Sequence, residues 1–127
     1  MTDPYPRDFY GYGPNPPDPK WPGGARLALE FAINFEAGGE RSILHGDDRA
    51  EDLLADVFLA EPVLGTRNVY VESTFEYGPR VGQWRLMRMF RERGIDKITV
   101  LAIGAAVERN PRGLKALVDA GYEIVSH

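Results

Sequence analysis

Two carboxylate-bearing stretches and a terminal histidine are the parts of this 127-residue chain whose residue types could do chemistry. The first stretch is Asn34-Phe35-Glu36-Ala37-Gly38-Gly39-Glu40, the second is Glu72-Ser73-Thr74-Phe75-Glu76-Tyr77-Gly78, and the histidine is His127. Carboxylates gathered beside one imidazole suit general acid–base work, because a crowded, partly desolvated carboxyl holds its proton more tightly and exchanges it nearer neutrality. Glu36 and His127 are the leading candidates, with Asn34, Glu40 and Glu76 on the same set of loops. Plainer readings stand beside these. Glu40 can pair with Arg41 or Arg49, Glu72 can satisfy loop backbone, and His45 in Leu44-His45-Gly46-Asp47 reads as a turn residue.

The elements that must position these groups are legible as alternating patterns. Leu27 to Phe35 is nearly continuously apolar, as in a parallel strand covered on both faces, and Gly38-Gly39 ends it. Asp47 to Ala60 has helical spacing at Leu53, Leu54, Val57 and Phe58, and Pro62 stops it. Asn68 to Ser73 reads as a second strand, Ile98 to Ile103 as a third, and Tyr122 to His127 as a fourth. Between them, Val81, Trp84, Met87, Phe90 and Arg91 predict a helix capped by Gly94. Asn110 at an N-cap, Pro111 at the first helical position and Gly121 past the end predict another.

The resulting order, β-α-β-α-β-α-β, argues for parallel strands joined by right-handed crossovers. Loops after parallel strands share one face, so the candidate residues converge there. Periodicity leaves an open doubly wound sheet and half of a (β/α) barrel as alternatives. Glu36-Ala37-Gly38-Gly39-Glu40 lacks the glycine spacing of a dinucleotide-binding turn, and its two glutamates would repel a pyrophosphate.

Residues 1–25 form a separate arm with seven of the ten prolines, which fix φ and remove hydrogen-bond donors. Tyr5, Phe9, Tyr10, Tyr12 and Trp21 make it too aromatic for a disordered tail, so it is expected to be ordered and to wrap the domain or a neighbouring subunit. Residues 26–127 are the partial barrel domain, expected to be truncated at strand four, where His127 ends a strand at the point a catalytic loop should begin.

Composition narrows the function. Fifteen basic against nineteen acidic side chains give a net charge of −4 with no basic cluster, which argues against nucleic acid as a partner. No run approaches the roughly 20 apolar residues that span a bilayer, so no membrane association is expected and the protein is read as cytoplasmic. The chain has no cysteine and two histidines, which excludes disulfides, thiolate sites and a histidine-rich metal centre.

The arm Tyr5-Pro6-Arg7-Asp8-Phe9-Tyr10-Gly11-Tyr12-Gly13-Pro14-Asn15-Pro16-Pro17, the stretch Trp21-Pro22-Gly23-Gly24-Ala25-Arg26, the two carboxylate loops, Leu44-His45-Gly46 and Ser126-His127 together resemble the allantoinase and cyclic imide hydrolase branch of the polysaccharide deacetylase family. The resemblance covers essentially the whole chain. It implies a distorted, NodB-like (β/α) barrel about twice this length, with the chain as its N-terminal half of four βα units. It also implies hydrolysis of a carbon–nitrogen bond in a cyclic amide, imide or ureide.

In the wider family the first loop carries two adjacent aspartates, a general base and a metal ligand, and a later motif supplies two histidine ligands. Glu36 matches the base, Ala37 matches the metal-binding acid, and His127 matches the first histidine. The allantoinase-like branch usually has a second glutamate where Ala37 stands, so this sequence departs from it there. Alanine cannot ligate, so the resemblance implies a metal-independent site and no cofactor.

On that resemblance Glu36 helps activate water against a ring carbonyl, His127 donates to the oxyanion or leaving nitrogen, and Asn34, Glu40 and Glu76 orient substrate and water. The expected partners are a small cyclic amide or ureide and a second polypeptide, or a second copy, that completes the barrel. One alternative is a noncatalytic or degenerate binding subunit of the same fold. A metal-dependent carbohydrate deacetylase is the weaker one.

Overall fold

Three short runs with β-forming residues, Ala32–Phe35 (β1), Thr99–Ala102 (β2) and Glu123–Ser126 (β3), pair in parallel in the order β1-β2-β3 in the computed structural model, which describes residues 6–53 and 61–127. Their register is even: Ala32 lies opposite Thr99 and Thr99 opposite Glu123, and so on to Phe35, Ala102 and Ser126. Four helices accompany them: α1 (Val69–Tyr77), α2 (Gln83–Glu92), α3 (Gly104–Arg109) and α4 (Pro111–Asp119). A π-helical segment, Gly78–Gly82, joins α1 to α2. No helix among the described residues is long and apolar enough to cross a membrane.

The core follows from strand alternation. Ile33 and Phe35 of β1 are buried while Ala32 and Asn34 are exposed. Phe90 of α2, Ala106 of α3 and Leu117 of α4 join the buried residues of β1 and β2 in one cluster, in which Val100, Ala106 and Leu117 have no exposed surface. Phe31 stacks edge-on against Phe90, with centroids 5.5 Å apart. Helices packed on one strand face, with the alternate residues of β1 open, are the outer layer of a (β/α) barrel and not the two-sided cover of a doubly wound sheet.

Local chemistry explains where the helices stop. Gly94 and Gly121 are left-handed, at φ +66° and +81°. Each closes a helix with a paired turn: Ile95 N–H donates to the Phe90 carbonyl and Gly94 N–H to Arg91, as Tyr122 N–H does to Leu117 and Gly121 N–H to Val118. The buried face of α2 runs through Gln83, Met87 and Phe90, whereas Val81 and Trp84 are 47% and 39% exposed. Gln83 ties α2 to α4 by donating from Nε2 to the Gly113 carbonyl at 2.7 Å.

Asn110 caps α4, its Oδ1 accepting from Gly113 N–H at 2.9 Å. A Cβ on Gly113 would fall 2.3 Å from Asn110 Nδ2, so this cap needs a glycine at its third position. Asn110→Ala should lower stability by about 1 kcal/mol, read as a shift of the urea midpoint, and an unchanged midpoint would show that the cap is energetically idle.

The four strands expected from the sequence are three among the described residues. Asn68 to Ser73 is not a strand: Asn68 is the N-cap of α1, accepting from Val71 N–H at 3.3 Å, and Glu72 N–H donates to the Asn68 carbonyl. Glu72 in the first turn complements the helix dipole. These local terms outweigh the β preference of Val69, Tyr70 and Val71, of which only Val71 is buried, and the sheet leaves no slot because β1 pairs directly with β2. Thr74 to Gly78, read as a loop, continues that helix into the π-helical segment.

Residues 47–53 of the expected Asp47–Ala60 helix are not helical. Ala50 N–H donates to Val63 and Gly65 N–H to Asp48, forming a bridge between Arg49 and Leu64. The rest of that helix lies outside the described residues. The run Leu27 to Glu30 stays outside β1, with Leu27 and Leu29 73% and 70% exposed, and every described residue from Pro6 to Glu30 is exposed, so the described part of the arm is not buried against this domain. The sequence reading also ended strand three at Gly104 without seeing α3, whose Ala105 and Ala106 favour helix.

Candidate active site

Sheet register brings two of the expected residues together. Ile103 N–H donates to Phe35 and His127 N–H to Ala102, so the residues just past the last paired rung are Glu36 on β1 and His127 on β3. Strands spaced about 4.8 Å apart put these two backbones on the order of 10 Å from each other, a gap their side chains close. Glu36 Oε1 and His127 Nε2 lie 2.6 Å apart, with the side chains 27% and 40% exposed. A carboxylate against an imidazole, in reach of solvent, can take a proton from water and hand one on.

The loop that carries Glu36 is held backbone by backbone. Gly39 N–H donates to the Glu36 carbonyl at 2.7 Å in a tight turn, and Gly38 adopts φ +102°. A Cβ on Gly38 would sit 3.1 Å from Arg109 Cδ, so neither the conformation nor the space suits a side chain there. Gly38 N–H donates to Glu40 Oε2, and Arg109 donates from Nη1 to the Gly38 carbonyl. His45 Nδ1 donates to the Glu40 carbonyl at 2.9 Å. Glu40 is thus turned back onto its own loop, and His45 supports that loop from behind.

Two cavities adjoin the loop that carries Glu36, and Glu36 itself lines the first. The first, of 140 Å³, lies between the end of β1 and the π-helical segment with the first turn of α2; Asn34, Glu36, Pro79, Gln83 and Leu86 are among the residues that line it. Its wall is mostly apolar. The second, of 440 Å³ and more open, holds Glu40, Glu76, Arg80 and Arg109. Ala37, Pro79 and Asn110 line both, so the two cavities share a wall. His127 lines neither and reaches Glu36 from the β3 side.

The remaining candidates separate. Asn34 shares the first cavity with Glu36, while Glu40 and Glu76 belong to the second. Glu76 pairs with Arg80 at 2.8 Å, one helical turn on. Glu72 is engaged elsewhere: Arg67 grips both its oxygens, and that hydrogen bonding holds the Glu72 carboxyl below the usual carboxylate range. Gln83, Asn110, Arg80 and Arg109 were missed as lining residues. Asn110 carried a visible signal, as a cap directly preceded by an arginine, but only the fold shows that this helix start faces the Glu36 loop.

The described residues do not by themselves supply the donor set of a metal centre. Catalytic zinc needs about three protein ligands. Glu36 and His127 already face one another, Ala37 next to Glu36 has no donor atom, and no cluster of three ligating side chains exists among the described residues.

Three comparisons with known proteins bear on this arrangement. The family model described as Polysaccharide deacetylase matches residues 65–127. A protein of Schizosaccharomyces pombe (strain 972 / ATCC 24843), named as a polysaccharide deacetylase, is 40% identical over 123 residues, which are 95% of this chain and 38% of that protein. The crystal structure of PuuE allantoinase is 49% identical and superposes with a TM-score of 0.84, covering 97% of this chain and 40% of that one. A structure described as a polysaccharide deacetylase from Pseudomonas aeruginosa PAO1 is 50% identical, also with a TM-score of 0.84, over 97% of this chain and 41% of its own. The chain therefore spans about two fifths of the length of these relatives.

Proposed function

Because this chain belongs to the polysaccharide deacetylase family, we propose that it carries the Glu36–His127 part of a hydrolase site that opens a carbon–nitrogen bond in a cyclic amide, imide or ureide, without a metal ion. The 2.6 Å contact between Glu36 and His127 at the ends of β1 and β3 is the observation that carries this reading. The similarity to PuuE allantoinase supports the cyclic substrate.

The contact between Glu36 and His127 supports the following steps. Glu36 takes a proton from water, and the hydroxide oxygen adds to the ring carbonyl carbon. The tetrahedral adduct collapses with cleavage of the C–N bond, and the proton passes from the Glu36–His127 pair to the departing nitrogen. The products are a carboxylic acid and a free N–H. Asn34 orients the ring in the first cavity. At 140 Å³ that cavity is comparable to the roughly 150 Å³ apolar space that accommodates one benzene-sized ring.

A completing polypeptide, or a second copy, belongs to this proposal. β1 and β3 each leave one edge unpaired among the described residues, and Leu27 and Leu29 stand exposed beside β1. Open edges and apolar side chains of this kind favour a covering partner.

The test is the loss of allantoin, hydantoin or succinimide on incubation with the purified protein in excess chelator. Ring opening that survives the chelator is expected. Deacetylation of an N-acetylated sugar that the chelator abolishes, with no ring opened, would overturn the reading.

A further inference from the structure

The second cavity is lined by two glutamates and two arginines, and only Glu76 and Arg80 are paired with each other. Of its two carboxylates, Glu40 is occupied by Gly38 N–H and Glu76 by Arg80. Arg109 has no carboxylate partner among the described residues; one of its nitrogens donates to the Gly38 carbonyl, which leaves the rest of the guanidinium fork without an acceptor. A guanidinium with unused donors binds carboxylate through paired hydrogen bonds. This cavity shares Ala37, Pro79 and Asn110 with the cavity at Glu36, so the two are adjacent.

Resting on the reading of the Glu36 cavity as the seat of a cyclic amide, we propose that the preferred substrate is a ring bearing a carboxylate limb. Arg109 is the residue that selects it. The neutral ring lies against the largely apolar wall by Glu36, and its limb crosses Ala37 into the open cavity, where the carboxylate meets the Arg109 guanidinium. An uncharged limb leaves the Arg109 guanidinium without an ionic partner. Neutral rings are then the poorer ligands.

The experiment measures binding and not turnover. This chain is titrated with hydantoin and with hydantoin-5-acetate, which share a ring and differ by the carboxylate limb. Charge-assisted hydrogen bonds strengthen binding, and with the cavity open to solvent the acetate should bind about tenfold more tightly. In Arg109→Gln that ratio should fall to within about twofold, whereas Arg109→Lys, which keeps the charge and loses the fork, should retain a preference of about threefold or more. Equal affinity for the two rings in the wild-type protein, no binding of either, or a ratio untouched by Arg109→Gln would overturn the assignment. A variant that merely loosened the Gly38 turn would weaken both rings alike and leave the ratio intact. The ratio can also fail while neutral rings are still hydrolysed, which separates this proposal from the hydrolase reading.

Discussion

Replacing Glu36 with glutamine should lower kcat/KM for ring opening by about 10²- to 10⁴-fold in a preparation that opens a cyclic amide, because the amide keeps the shape and loses the proton acceptor. The deficit should lie in kcat. Glu36 lines the cavity and contacts His127, so its loss should fall on the proton-transfer step and KM should move little. The measurement is steady-state kinetics of wild type and variant at several pH values. A variant within about threefold of wild type would remove Glu36 from the chemistry, since loss of a general base costs far more.

The second large effect concerns folding. Leu117 on α4 has no exposed surface and sits in the cluster that joins β1, β2 and the helices. Its truncation to alanine removes methyl groups from a packed site and leaves a cavity, so Leu117→Ala should cost about 2–5 kcal/mol. Against the 5–15 kcal/mol typical of whole domains, that is a large share. Urea unfolding should show a lower midpoint at unchanged slope. A loss under about 1 kcal/mol would mean that α4 is only loosely docked on the sheet.

The two effects have different origins in the sequence. Glu36 and His127 were legible because topology alone predicts that the ends of parallel strands share a face, and the register then sets them level. The helix over Pro111–Asp119 was legible from punctuation, since Asn110, Pro111 and Gly121 each have one structural use there. What was not legible lies where two local signals compete. Val69-Tyr70-Val71 has β composition, but the cap from Asn68 and the acid at Glu72 are helix-start signals in the same six residues, and packing decides between them. Arg80 and Arg109 are unremarkable in the sequence; they matter because the π-helical segment and the end of α3 meet at Ala37. The resemblance to a known family had the fold class right, whereas the periodicity reading took the start of α1 for a strand.

One wall of the Glu36 cavity is made of Gly78, Pro79 and Gly82 in the π-helical segment. Pro79 has no N–H to give to the turn before it, and the wide turn accommodates that loss. That wall is therefore mostly main chain and carries few side chains that could be exchanged. Point substitutions meant to reshape the cavity would have little to act on there, and the adjustable side chains are Gln83 and Leu86 in the first turn of α2 that follows. A change in the length of the segment would move the whole wall, so the size of this cavity should diversify by insertion and deletion between α1 and α2 more readily than by substitution within the segment.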